Sequence, residues 1–160
     1  MTGLNHLPDT ARIWIYQASV ELSEPQQQAI RAELESFIAQ WAAHGTDLTA
    51  GFDILHDRFV VIAVDESQHA ATGCSIDKSV HLMLGLEQKL NVCFTDRKAI
   101  AYVVQSRITT SPMHEFWALR KAGRITADTV VFDNLVKTLG EFKREWQKPF
   151  GQSWHQTMWN

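Results

Sequence analysis

The chain has 160 residues, of which 45% are hydrophobic and 10% aromatic, and this is enough apolar material for the core of one domain. Eighteen acidic and fifteen basic residues give a net charge of -3, so the composition provides no basic field for nucleic acid or an anionic membrane. Residues 1–8 lack the pattern of a signal peptide and no apolar run is long enough to span a membrane, so we expect a cytoplasmic protein.

The first part of the chain alternates between strand and helix patterns. Residues 12–19 are rich in β-branched and aromatic side chains and predict a strand. Ser23 and Gln26 have the spacing of a capping box, which predicts a helix that begins there. Residues 49–55 and 58–64 predict two strands that a short polar turn joins in a hairpin.

The pattern continues in the rest of the chain. Ser75 predicts the cap of a second helix, and residues 98–104 predict a fourth strand. Residues 111–121 predict a third helix that Gly123 closes, and residues 128–132 predict a further strand.

The order β-α-β-β-α-β predicts an α+β fold with a ferredoxin-like split βαβ core over residues 12–108. In this core we expect the first and third strands to lie parallel at the centre of the sheet. No linker or charge block separates residues 109–160, so we expect one domain over residues 1–160, with an α/β C-terminal extension packed on the core. Residues 58–64 are apolar at both strand parities, which predicts a sheet covered on both faces.

Polar residues collect where the third predicted strand leads into the second helix. If the first and third strands are parallel, their carboxyl ends share one edge of the sheet. Both following helices then begin at that edge and direct their unpaired N–H groups to one region. This arrangement predicts an anion- or ligand-binding edge. Its candidate residues are Asp65, Glu66, His69, Thr72, Gly73, Cys74 and Ser75.

Cys74 is the candidate nucleophile of this edge. It precedes the predicted helix cap, where the helix dipole favours a thiolate, and His69 could act as its base with Asp65 or Glu66 holding the imidazole. The same position also suits a small side chain packed at a tight turn. Cys93 lies far from Cys74 in the sequence, so we expect two reduced thiols.

The seven histidines form no HxH, HxxxH or HExxH pattern, and none pairs with a cysteine at zinc-finger spacing. We therefore expect no metal and no cofactor. A site built from His69, Cys74 and His81 is the metal site that the residues leave open. Trp154 and Trp159 lie in a polar tail without helical or strand period, so they either dock on the domain or bind a partner.

Three groups of segments carry a family resemblance: Gln40–Gly45 (QWAAHG), Asp57–Ser67 (DRFVVIAVDES) with Gly73–Lys78 (GCSIDK), and Ile125–Leu135 (ITADTVVFDNL) with Ser153, Trp154 and His155. Taken together, they resemble a family of small bacterial proteins that are often labelled "ABC transporter ATPase". The resemblance extends from Arg12 to His155. It implies family membership and no established activity.

The residues do not supply the machinery of an ABC ATPase. Such an enzyme needs a G-x-x-x-x-G-K-[ST] phosphate cradle (Walker A), a signature loop of the LSGGQ kind and a strand that ends in Asp-Glu. In Thr72–Ser79 (TGCSIDKS), Thr72 and Asp77 replace the two glycines, and the Asp77 carboxylate would repel the phosphates. Val64-Asp65-Glu66 precedes this stretch, whereas the Asp-Glu pair of an ATPase follows its cradle. We therefore expect no ATP hydrolysis.

Three functions remain open. The first is a non-catalytic binding or regulatory module that accepts a protein or a small anionic ligand at the predicted edge. The second is a cysteine-dependent enzyme that uses Cys74, and the third is an interaction module that forms a homodimer through its aromatic tail or its second sheet face. Nucleic acid and membrane insertion are not expected.

Overall fold

A computed structural model describes residues 3–43, 49–67 and 73–159, without the side chains at 42–43, 73–75 and 159. Within these residues the chain forms two antiparallel sheets and four α-helices, so the predicted α+β class is confirmed. The chain divides into two compact units. Unit 1 comprises Met1–Thr95 with Lys137–Glu141, and unit 2 comprises Asp96–Val136 with Phe142–Asn160. No helix in the described ranges is long and apolar enough to cross a membrane.

Unit 1 contains sheet 1 and two helices. The strands are β1 (Arg12–Gln17), β2 (Thr49–Leu55) and β3 (Phe59–Asp65), and the helices are α1 (Glu24–Ala43) and α2 (Gly73–Leu90). The strand order is β1-β3-β2, and β3 is antiparallel to both neighbours. The segment Lys137–Glu141 runs beside β1, where the Ile13 N–H donates to the Lys137 carbonyl at 3.1 Å.

Sheet 1 is buried on both faces. On one face Tyr16 and Ile62 belong to a core cluster with Leu34 of α1 and apolar side chains of α2. On the other face Phe59 and Val61 are also fully buried. Burial of both faces confirms the prediction from the apolar residues at both parities of β3.

The start of α1 confirms the predicted capping box. The Ser23 N–H donates to Oε1 of Gln26 at 2.8 Å, and the Gln26 N–H donates to Oγ of Ser23 at 3.4 Å. Two further bonds tie this helix start to the turn between β2 and β3. The Leu22 N–H donates to the Asp57 carbonyl at 2.7 Å, and Nε2 of Gln27 donates to Oδ1 of Asp57 at 3.0 Å.

Unit 2 contains sheet 2, whose strands are all antiparallel to their neighbours. They are β4 (Ala99–Val104), β5 (Arg107–Pro112), β6 (Val130–Phe132) and β7 (Gln147–Pro149), in the order β5-β4-β6-β7. The helix α3 (Met113–Lys121) belongs to this unit, and α4 (Leu139–Glu145) crosses the boundary between the units. The aromatic core of unit 2 contains Tyr102, Phe116 and Phe150. The ring centroid of Phe116 lies 5.3 Å from that of Tyr102 and 5.7 Å from that of Phe150.

The predicted parallel pairing of the first and third strands is wrong. β1 and β2 both run antiparallel to β3, so α1 connects two strands of the same direction. The short turn at His56 and Asp57 then reverses the chain into β3, because a tight hairpin joins antiparallel strands. The direction of β3 follows from this hairpin.

The four-stranded ferredoxin-like sheet is not confirmed, because β4 lies in sheet 2. The strand β5, which follows β4 after a two-residue turn, was not predicted. Gln105 and Ser106 form this turn with φ of 50° and 63°, the left-handed conformation that a two-residue hairpin requires. Closing such a short loop costs little entropy, so β4 pairs with its neighbour in sequence.

Candidate functional site

The starts of α1 and α2 lie at opposite ends of sheet 1. α1 begins beside Asp57, at the turn between β2 and β3. α2 follows the other end of β3, where Asp65 pairs with Thr49. After α2 the chain returns to the first end, where the Cys93 carbonyl accepts the Ser19 N–H at 2.8 Å. The predicted common edge is therefore wrong, because it depended on parallel strands.

Asp65 and Glu66 lie at the end of β3 and make local contacts. The Ser67 N–H donates to Oδ1 of Asp65 at 2.9 Å, and hydrogen bonds from Ser67 lower the pKa of the Asp65 carboxyl. Oε1 of Glu66 lies 3.6 Å from Nη1 of Arg12. Both carboxylates are therefore engaged within unit 1, in the way that surface loops at strand ends commonly are.

The remaining residues of the predicted edge are only partly described. His69 and Thr72 lie outside the described residues. Gly73, Cys74 and Ser75 form the first turn of the described part of α2, so Ser75 lies inside the helix and is not its cap. Their side chains are not described, and Cys74 as a nucleophile stays a prediction.

The stretch that approaches a phosphate cradle is helical from Gly73 onward. A true cradle is a loop whose N–H groups close around the phosphates before the helix begins. The hydroxyl of Ser79 is buried and donates to the Ile76 carbonyl at 2.6 Å, which engages it inside the helix. These residues therefore have the geometry of an ordinary amphipathic helix.

Unit 2 holds a buried polar group that the sequence analysis did not select as a site. We name it the anchor cluster, and its members are Asp133, Lys148, Ser153, Trp154 and His155. β6 places Asp133 directly after its last residue, and β7 contributes Lys148. The segment after β7 turns back and contributes the other three. All but Lys148 fall in the segments that carry the family resemblance.

Both carboxylate oxygens of Asp133 have partners within unit 2. Oδ1 accepts Nε1–H of Trp154 at 3.0 Å and the N–H of Leu135 at 3.0 Å. Oδ2 lies 3.3 Å from Nζ of Lys148. A buried carboxylate with this many donors is fixed in position and orientation. This carboxylate joins the end of β6 to residues 150–159, which we name the C-terminal segment.

Ser153 and His155 form the second half of the anchor cluster, and each is 3% exposed. Oγ of Ser153 lies 3.0 Å from Nδ1 of His155, accepts the His155 N–H at 3.2 Å and donates to the Phe150 carbonyl at 3.1 Å. Burial lowers the pKa of His155 to about 4, Asp133 opposes this shift and Lys148 adds to it. The imidazole is therefore neutral at pH 7.

The anchor cluster resembles a serine-histidine catalytic pair in composition only. A nucleophilic serine must reach a substrate, whereas the Ser153 hydroxyl is buried and bonded to its own turn. The anchor cluster holds the C-terminal segment on sheet 2. No local sequence signal reveals the anchor cluster, because Trp154 reaches Asp133 only after β6 and β7 have paired. In the described ranges no three His, Cys, Asp or Glu residues are grouped to hold a metal.

The second site candidate is one end of sheet 2, which is lined with exposed cations. We name it the basic end, and its members are Arg107, Arg120, Lys121 and Arg124. Arg107 follows the turn between β4 and β5. The other three end α3 or belong to the segment that leads from α3 into β6.

Hydrogen bonding places these cations at the same end of the sheet. β6 pairs antiparallel with β4, so its first residue lies on the side of the β4–β5 turn. The Phe150 N–H donates to the Thr129 carbonyl at 2.7 Å, which places Phe150 there as well. The guanidinium carbon of Arg120 lies 5.5 Å from the Phe150 ring centroid, and Nη1 of Arg120 donates to the Ile125 carbonyl at 3.3 Å.

The charge of the chain is distributed unevenly between its units. Unit 2 contains nine Lys and Arg against five Asp and Glu, a net charge of +4, whereas unit 1 contains six against thirteen, a net charge of -7. The segments that carry these four cations, residues 104–107 and 119–130, contain one acidic residue, Asp128. At the opposite end of sheet 2, Arg97, Lys98, Lys143 and Arg144 are accompanied by Asp96, Glu115 and Glu145.

Comparison of the chain with protein-family models, curated proteins and solved structures finds no match. The proposals that follow therefore rest on the geometry and charge of the described residues.

Proposed function

We propose that the protein is a non-catalytic binding module that accepts an anionic partner at the basic end of unit 2. The observation that carries the proposal is the excess of exposed cations at this end of sheet 2, within a chain whose net charge is negative. Like charges held close together destabilise a fold slightly unless an opposite charge compensates them. A partner that supplies carboxylate or phosphate groups would compensate them.

Two of these four cations, Arg120 and Lys121, are held by neighbouring groups, which favours ligand binding at this surface. Arg120 is held by its bond to the Ile125 carbonyl and by the Phe150 ring, and Nζ of Lys121 lies 5.2 Å from the Trp117 ring centroid. Side chains that are already ordered lose less conformational entropy when a ligand binds. The anion-accepting role expected of the two helix starts is therefore proposed for sheet 2 instead.

We propose no ATP hydrolysis for this chain. We still propose that it belongs to the family labelled "ABC transporter ATPase", because the resemblance does not depend on a phosphate cradle. The helical conformation of Gly73–Ser79 and the carboxylate of Asp77 both argue against a phosphate cradle. The alternative functions are a cysteine-dependent enzyme that uses Cys74 and an interaction module that forms a homodimer.

The test compares two charge-reversal variants of the full chain. In the first, Arg107, Lys121 and Arg124 are each replaced by Glu; Arg120 is kept because it supports Phe150. In the matched control Arg97, Lys98 and Arg144 are each replaced by Glu, which changes the net charge equally at the opposite end of sheet 2. Binding of hexaglutamate, heparin hexasaccharide and oligothymidylate is measured by calorimetry at low salt.

We expect at least one of these polyanions to bind the native chain and to bind the basic-end variant at least tenfold more weakly, since three attractive charges become repulsive. The control should retain its affinity within about threefold, which is a difference of under 1 kcal/mol. Equal losses in both variants, or no binding of any polyanion to the native chain, would contradict the proposal. Circular dichroism verifies that both variants remain folded.

A further inference from the structure

We infer that the anionic partner is a short, extended acidic segment of a protein that also carries an apolar side chain. This inference rests on the proposed function and names the partner class of the same basic end. Three features lead to this inference: the width of sheet 2, an exposed apolar side chain beside the basic end, and the net charge of the chain.

The width of sheet 2 sets the length of the segment. Four neighbouring strands span about 14 Å at the usual spacing of roughly 4.8 Å, and an extended peptide covers this distance with about five residues at roughly 3.3 Å each. Arg107 lies on the edge strand β5, whereas Arg120 lies near Phe150, which follows β7 at the other edge. The helix α3, which carries Arg120, itself packs on β4 and β5 and reaches the Phe150 ring, so the cations lie within this width. An extended segment of at most about five residues can contact them all.

An exposed apolar side chain accompanies the cations. Val104 is 43% exposed and pairs with Arg107 across the first rung of the β4–β5 hairpin. It is one of four large hydrophobic residues exposed in the described ranges. An isolated exposed valine is common on protein surfaces, but this one lies directly opposite Arg107, one of the four cations of the basic end. A partner that buries it needs an apolar group beside its carboxylates, which a peptide provides and a phosphate chain does not.

The charge of the whole chain disfavours a long polyanion. A nucleic acid carries a phosphate at every nucleotide and extends beyond a patch of this size. Unit 1 has a net charge of -7 and the whole chain one of -3, so the chain as a whole repels such a polymer.

The test uses three probes of similar length: the peptide Glu-Glu-Leu-Glu-Glu, the peptide Glu-Glu-Ser-Glu-Glu and an oligothymidylate of five nucleotides. Free citrate serves as a small-anion competitor. Each is titrated into the full native chain, the basic-end variant, its opposite-end control and Val104→Ser.

We expect the leucine peptide to bind the native chain about threefold or more tightly than the serine peptide and the oligothymidylate. Val104→Ser should remove the advantage of the leucine peptide over the serine peptide. The basic-end variant should weaken both peptides at least tenfold, and its control should not.

Other outcomes separate the two proposals. If the oligothymidylate binds as tightly as the leucine peptide, or if citrate at equal charge displaces the peptide fully, the inference fails while the proposed function stands. If leucine gives no advantage, the acidic-apolar segment is also wrong. If no anion binds at the basic end, both fail.

Discussion

Nζ of Lys148 lies 3.3 Å from Oδ2 of Asp133, and the two side chains are only 19% and 12% exposed. This pair joins β7 to the residue that ends β6, and Trp154 donates to the other oxygen of the same carboxylate. Removing one partner of such a desolvated pair destabilises the fold, because the remaining charge is then buried without a partner and without water in its place. The C-terminal segment is therefore held by an interaction that a single substitution can break.

Replacing Asp133 by Ala should lower the free energy of unfolding by about 2 to 4 kcal/mol, since it leaves the Lys148 ammonium and the Trp154 indole N–H without their acceptor. Urea unfolding at pH 7 measures this change. Asp128→Ala, at an exposed position of the same unit, is the control and should change stability by less than about 0.5 kcal/mol. Equal effects of the two substitutions would show that the anchor cluster does not hold the segment.

The buried imidazole of His155 predicts a loss of stability in mild acid. Its pKa in the folded chain is about 4, below the ordinary value of 6.5, so the unfolded chain takes up the proton first as the pH falls. The free energy of unfolding should therefore be highest above pH 6.5 and fall by up to about 3 kcal/mol between pH 6.5 and 4. His155→Gln, whose unfolding is followed over the same pH range, should lose this part of the slope. An unchanged slope in the variant would contradict the prediction.

Glu87 holds the turn that follows α2. Its Oε1 accepts the N–H groups of Phe94 and Thr95 at 2.7 and 2.8 Å and the Thr95 hydroxyl at 2.7 Å. Burial raises the pKa of Glu87, but these hydrogen bonds and one from the Cys93 thiol outweigh it, and the net pKa is lowered. The charged carboxylate therefore stabilises the fold.

Glu87→Gln should lower the free energy of unfolding by about 1 to 2 kcal/mol at pH 7, because a neutral amide accepts these donors less strongly. The contribution of the carboxylate is complete above its unfolded pKa of about 4.5 and is lost as the pH falls through the folded pKa. The difference between Glu87→Gln and the native chain should therefore shrink below that pH. Glu35→Gln, at an exposed position of α1, is the control and should show neither effect.

Cys74 should react with iodoacetamide faster than Cys93 at neutral pH. Cys74 lies in the first turn of α2, where unpaired N–H groups favour the thiolate, whereas Cys93 follows the carboxyl end of the same helix. Cys93 is exposed, so access alone would favour it. Mass spectrometry of the alkylated peptides measures both rates. A faster reaction at Cys93 would remove the basis for a cysteine-dependent activity.

The features that the sequence predicted correctly depend on residues close together in the chain. The capping box formed because Ser23 and Gln26 are three residues apart, and Gly123, two residues after the last residue of α3, has a φ of 77° that suits glycine. Apolar residues at both parities of β3 predicted burial of both faces. Such features need only local geometry and the period of the side chains, which no distant contact changes.

The direction of β3, the membership of β4 in sheet 2 and the two site candidates were decided by tertiary structure. Each depends on which strands pair, and the element order alone is compatible with more than one pairing. Asp133 and Trp154 are 21 residues apart and form a hydrogen bond because β6 pairs with β7. Arg107 reaches the end of the sheet that Arg120 occupies because β4 lies between β5 and β6. Pairing between strands depends on burial and hydrogen bonding summed over the whole sheet, and no short segment of sequence contains that sum.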